Sequence, residues 1–308
     1  MNFAGRMNSI LFQNETKDLF YAIESFKKIK GITHLEFNYP EHLAPYAVED
    51  IKKEIAPLQV NGVATRFRSP FIHGEFTNPN PETSRAAVEL CKEAIDACRE
   101  LGGKVVTVWL GFDGFDYPFQ MNYEKKWNEI IRSFQEVADY GSDLKISIEY
   151  KPFEPRNYSM IDGIGLTLLA IDEIDRPNVG VTLDLCHRLM KKESPAYALT
   201  LASRKNKLFG LHLNDGYRDM DSGMIFGSVN IPQSLEFIYY LKKYAYDGVV
   251  FFDTFPVREN VEEEIALNIK SFELLESKIA SYGLENFEKV INKQDGISAQ
   301  ELILNLLK

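Results

Sequence analysis

The segment KISIEYKPFEP, residues 145–155, decides the fold. Ile146, Ile148 and Tyr150 take one parity, and Ser147, Glu149 and Lys151 take the other. Residues two apart in a strand share a face, so an apolar face and a charged face lie back to back. An acid and a base carried together onto an inward face need pairing or a metal, because burying charge is otherwise costly. A parallel barrel provides such a face: the apolar set packs against helices, and the polar set ends at the carboxyl rim of the lumen.

The same alternation recurs along the chain. The sequence predicts strands at Asn2–Met7, His34–Pro40, Asn61–Phe67, Lys104–Gly111, Lys145–Pro152, Val179–His187, Leu208–Asp215 and Gly248–Phe255. Between them lie stretches such as Pro81–Leu90, with apolar residues at helical spacing and an acidic first turn that suits the helix dipole. Strands alternating with helices give a parallel sheet, and eight such units close it into an α/β (β/α)8 TIM barrel. A doubly wound sheet is the rival, but no Gly-x-Gly-x-x-Gly follows the first strand. No Pro- or Ser-rich linker divides the chain, which predicts a barrel domain over 1–280 and a C-terminal helical extension over 281–308.

Composition narrows the function. The net charge is −10, and phosphate contacts are made by clustered Lys and Arg, so nucleic acid and anionic membrane are not expected partners. No run reaches the roughly 18 to 20 apolar residues of a membrane span, and Met1–Gly5 lacks the layout of a secretion signal. The cytoplasm is the expected location. Cys91, Cys98 and Cys186 read as buried thiols with no disulfide.

Polar residues at strand ends carry the chemistry of such a barrel. Inward parity gives Thr182 and Asp184 in VGVTLDLCH, His212 and Asn214 in LFGLHLND, and Asp253 in GVVFFDTFP. Four consecutive strands therefore deliver Glu149, Asp184, His212 and Asp253 to one rim. A lone acid at a strand end is more often a helix cap or a solvated residue, but crowded carboxylates repel unless a cation offsets them. The set predicts a divalent cation, Mn²⁺ first, with Mg²⁺, Co²⁺ or Zn²⁺ as options. A second group follows: His187 lies three residues beyond Asp184, and Asp219 and Asp221 are spaced to point the same way from an extended loop.

Taken together, Glu149-x-Lys151, Asp184-x-x-His187, His212-x-Asn214-Asp215 with Asp219-x-Asp221, and Asp253 resemble the xylose isomerase-like barrels, in particular the L-rhamnose isomerase branch. The stretch VWLGFDGFDYPFQ is similar to that branch's substrate loop, which sets Trp109 against the sugar. The resemblance covers the barrel domain. It implies that Glu149, Asp184, His212 and Asp253 hold a structural metal, that His187, Asp219 and Asp221 hold a catalytic one, and that Lys151 hydrogen-bonds the sugar O1. The implied enzyme is an aldose–ketose isomerase with two metals per subunit, which stabilise charge on O1 and O2 while hydrogen passes from C2 to C1 as hydride. Lys151, Asp221, His187 and Glu149 are the expected catalytic groups. His73, Phe71, Glu36 and Asn38 join Trp109 as candidate sugar contacts.

A free, unphosphorylated sugar is expected, because neither a Gly-rich loop nor an Arg cluster marks the loops after strands 7 and 8. The main alternative is a ketose 3-epimerase or inosose dehydratase-like enzyme with a single metal and a carboxylate acid/base pair. A non-catalytic sugar- or metal-binding barrel is another. A metal-dependent endonuclease is disfavoured by the five histidines and the net charge of −10.

From Ser281 the chain exceeds what eight units require. Phe287, Val290, Ile291, Ile297, Leu302, Ile303, Leu306 and Leu307 form apolar stripes, and such stripes usually have a partner. The tail is expected to pack across a neighbouring subunit of a homodimer or homotetramer, with packing on its own barrel as the alternative.

Overall fold

The computed structural model describes residues 1–14 and 16–308. Eight parallel strands form one sheet: β1 (Asn2–Gly5), β2 (His34–Tyr39), β3 (Gln59–Thr65), β4 (Val105–Trp109), β5 (Lys145–Glu149), β6 (Val179–Asp184), β7 (Leu208–Leu213) and β8 (Val249–Phe252). The ladder runs β1-β8-β7-β6-β5-β4-β3-β2 with helices between strands, which is the expected TIM barrel. One joint closes the ring without a ladder. Thr33, just before β2, donates its amide to the Phe3 carbonyl and accepts the Phe3 amide on its hydroxyl, each at 3.0 Å.

Each strand ends sooner than its predicted carboxyl end, because the polar residues there leave the ladder to form the rim. Strand parity behaves as the sequence implies. Val179, Val181 and Leu183 are wholly buried among the apolar residues of the core. Toward the lumen, Ser147 Oγ and Thr182 Oγ1 lie 2.6 Å apart, with Thr107 Oγ1 3.5 Å from Thr182. Gly210 makes room for this hydroxyl layer, since a Cβ there would stand 2.5 Å from Thr182 Oγ1.

The helix Val261–Tyr282 completes the last unit and runs through the 280/281 boundary; Leu284–Ile291 and Gly296–Leu306 follow it. This tail packs on its own barrel. The Phe287 ring lies 4.9 Å from that of Tyr239 on the helix Ile231–Lys243 and 5.0 Å from that of Tyr282. Phe287, Leu302 and Leu306 are buried there, while Ile291, Ile297 and Leu307 are exposed. The three cysteines are buried and free. Among the described residues no helix is long and apolar enough to cross a membrane.

Candidate active site

Glu149 ends β5, Asp184 ends β6, His212 lies on β7 and Asp253 follows β8. Register sets Asp184 level with His212, and Trp109 level with Glu149. Ligand atoms of Glu149, Asp184, His212 and Asp253 all lie within 4.8 Å of one another, and the same holds for Asp184, His187 and Asp221. Asp184 thus belongs to both groups.

Local folding aims each side chain. Asp184 caps the helix Leu185–Lys191, accepting the His187 amide at 3.0 Å, and Asn214 Nδ2 donates to its other oxygen at 2.9 Å. His187 Nδ1 donates to the Tyr150 carbonyl at 3.0 Å, which leaves the lone pair of the neutral ring on Nε2, 3.1 Å from Asp221 Oδ2. His212 is held from two sides, Nδ1 at 3.0 Å from Glu149 and Nε2 at 3.3 Å from Glu36. Lys151 places Nζ 3.1 Å from Asp221, 2.9 Å from Glu154 and 5.5 Å from the Trp109 ring centre. The acid and base at 149 and 151 therefore line one cleft.

The rim holds more acid than base. Burial pushes the Asp184 carboxyl up to about 6, with Asp221, Glu149 and Asp253 adding to it against His187. Burial also raises Asp253, against the pull of Arg6. Burial would raise Glu149 as well, but His212 outweighs it and holds the group at about 2. The imidazoles answer in kind: burial lowers them, yet the facing acids leave both His187 and His212 raised. A site that draws protons onto its imidazoles is one whose excess negative charge a divalent cation relieves. Asp221 Oδ1 and Asp253 Oδ1 are buried with no hydrogen-bond partner among the described residues, a costly condition for a carboxylate oxygen. Each belongs to one of the two groups. Carboxylates with imidazole are donors that hard or borderline divalent ions take, so the residues fit such ions.

A family profile described as xylose isomerase-like TIM barrel matches residues 25–272. The chain belongs to this family. It is 29% identical over 209 residues to the xylose isomerase of Thermus thermophilus, a match covering 66% of this chain and 54% of that protein. With the xylose isomerase of Thermus caldophilus it shares 27% identity over 206 residues, covering 65% and 53%. The chain therefore spans about half the length of these relatives. The solved structure of D-psicose 3-epimerase from Clostridium cellulolyticum H10 with D-tagatose superposes with a TM-score of 0.70 at 18% identity, covering 84% of this chain and 94% of that one. An L-ribulose 3-epimerase gives 0.67 at 16% identity, covering 89% and 92%. At these identities the structural likeness shows the fold. The L-rhamnose isomerase branch of the xylose isomerase-like family stays an expectation.

On this family's barrel the remaining predicted residues fall in different places. Trp109 lines the cleft. Asp219 does not join Asp221: it is exposed, because the chain bends through residues 218–220 and residues two apart no longer share a side. That loop is pinned by Asp215, which accepts the amides of Val229 and Asn230 at 2.8 and 2.9 Å. Glu36 is buried against His212 and accepts from Asn61 Nδ2 at 2.6 Å, and Asn38 donates to Asn8 at 2.7 Å. Phe71 packs edge-on to Phe67 in the core, and His73 is exposed on the turn Phe71–His73. The cleft, about 200 Å³, is lined instead by Arg6, Arg66, Arg68, Glu154 and Phe255 beside the expected groups. Sequence reasoning missed these arginines because Arg6 follows β1 while Arg66 and Arg68 follow β3, so no run gathers them. The available signal was parity: Arg66 and Arg68 flank Phe67 just past a strand end.

Proposed function

We propose that this chain is a divalent-metal-dependent sugar isomerase that interconverts an aldose and a ketose. The observation that carries it is the pair of ligand groups sharing Asp184, with Lys151 set against Asp221. Similarity to the Thermus xylose isomerases supports the same chemistry. The L-rhamnose isomerase branch rests on the aromatic loop at Trp109. Mn²⁺ is the favoured ion, ahead of Mg²⁺, Co²⁺ and Zn²⁺, with one ion on Glu149, Asp184, His212 and Asp253 and another on Asp184, His187 and Asp221. Bound there, such ions supply the positive charge that hydrogen transfer between C2 and C1 calls for.

The chain's own groups do the rest. Burial would lower the Lys151 ammonium, but Asp221 and Glu154 raise it, so a charged donor faces the sugar carbonyl oxygen. Trp109 offers an apolar face to the sugar and keeps water from the reacting carbons. Each rim carboxylate already faces a neighbour, Glu149 on His212, Asp184 on Asn214, Asp221 on Lys151 and His187, and Asp253 beside Arg6, and the two oxygens left without a hydrogen bond, Asp221 Oδ1 and Asp253 Oδ1, belong to the proposed ligand groups rather than to a base. Hydrogen is accordingly proposed to pass from C2 to C1 as hydride.

A ketose 3-epimerase is the second reading, favoured by the exposure of Asp219, which leaves the second group with fewer acids than expected. Turnover of aldoses and ketoses with Mn²⁺ in deuterated water separates the two. The expected result is loss of activity in EDTA, recovery with Mn²⁺, and product that keeps the C2 hydrogen at C1. Deuterium entering C1 would sink the hydride step, deuterium at C3 with inversion would establish the epimerase, and full activity in excess chelator would remove the metal from the reading.

A further inference from the structure

We infer that the substrate carries an oxoanion, a carboxylate or a phosphate, on the end remote from the reacting carbons, and that Arg66 binds it. The inference rests on the isomerase reading only for which end reacts. In the ring order, β3 stands opposite β7. Arg66 and Arg68, on the loop after β3, therefore face His212 across the mouth, Arg6, after β1, stands beside Asp253, and all three line the same cleft.

Their partners differ in a telling way. Arg68 is committed to Glu41, Nε to Oε1 at 2.7 Å, and its side chain is 61% exposed at the outer edge. Arg6 stacks on Phe255 at 4.6 Å, donates to Ser9 at 3.2 Å, and stands 3.2 Å from Asp253 Oδ1 without directing its N–H there. Arg66 makes no side-chain hydrogen bond or ion pair with any described residue. A planar, half-buried guanidinium with no protein partner on its donors, beside a second one held by an aromatic ring, matches the two-oxygen edge of a carboxylate or phosphate. The cleft sets Lys151 and the three arginines against Glu149, Glu154, Asp221 and Asp253, so it is less acidic than a chain of net charge −10 would suggest. Rim acids hold Lys151 and Arg6 and Glu41 holds Arg68 in direct contact, whereas Arg66 acts on Glu41, Glu149 and Asp253 only through its charge and has no direct partner among the described residues. The neutral, unphosphorylated sugar anticipated from the strand 7 and 8 loops is thereby replaced by an acidic one, its charge met from the opposite side of the barrel.

The test compares three aldose series, gluco, galacto and manno, each as the neutral sugar, its uronate and its 6-phosphate. Binding to the Mn²⁺-loaded full chain is read by calorimetry, and turnover is followed in parallel. The expected result is that in at least one series an anionic member binds about tenfold or more tighter than the neutral sugar, the scale of one charge-assisted bidentate contact. Whether uronate or phosphate wins identifies the anion. Arg66→Met is expected to erase the difference and Arg66→Lys to keep part of it, which also shows that the effect is not a folding defect. Equal binding of neutral and anionic members in every series overturns the inference. So does a preference that survives Arg66→Met, which would place the anion elsewhere in the cleft. Arg66-dependent binding without turnover would count against the isomerase and leave the anion site standing.

Discussion

Glu36 shows how a single residue can be read for the right face and the wrong partner. Its inward parity on β2 was legible, and a sugar hydroxyl was the natural guess. Its contact is instead the far nitrogen of His212, so this carboxylate orients an imidazole proposed to ligate the metal and raises its basicity. Contacts across the lumen join residues far apart in sequence, which no local pattern encodes. Glu36→Gln is expected to weaken Mn²⁺ binding about tenfold by calorimetry, the lower end of what loss of such a partner costs, with the melting temperature little changed. Unchanged affinity would mean that Glu149 alone fixes the ring. The rim acids themselves were legible because a period of two dictates where they point. Asp219 escaped that rule where the chain ceased to be extended.

At the scale of elements, the strands were readable and their ends were not, since a strand stops where side chains find other partners. Asp184 caps a helix at the point where the sequence pattern runs on to His187. The loop after β4 makes the same point. Asp113 accepts the amides of Glu75, Phe76 and Thr77 at 2.7, 3.0 and 3.1 Å and the Thr77 hydroxyl at 2.6 Å, and Glu75 accepts the Phe112 amide at 2.9 Å. These bonds lace the loop after β3 to the loop that follows Trp109. Asp113→Ala leaves those donors buried without an acceptor and is expected to cost about 3 kcal/mol or more in urea unfolding. A loss below about 1 kcal/mol would show that water replaces the carboxylate.

For the whole molecule, the tail was recognised as surplus to the barrel, but its apolar stripes did not say whose surface they cover. They cover the chain's own helices, leaving part of the tail exposed. Truncation after Tyr282 uncovers Tyr239 and removes Phe287, Leu302 and Leu306, each buried side chain contributing about 1.5–3 kcal/mol. A clear drop in melting temperature is expected. Sedimentation of the same variant reads whether the tail also joins subunits, and an unchanged multiple of the chain mass would make it an internal brace. The stitch at Thr33 carries a last consequence. The residues proposed to do chemistry ride on β5 to β8, inside the unbroken ladder, whereas Arg6 and Arg66 stand on either side of the stitched joint. With the roles proposed for these residues, a change at Arg66, which has no direct bond to either ligand group, alters which molecule is accepted while the acids on β5 to β8 keep their places, so a new specificity is inherited onto old chemistry.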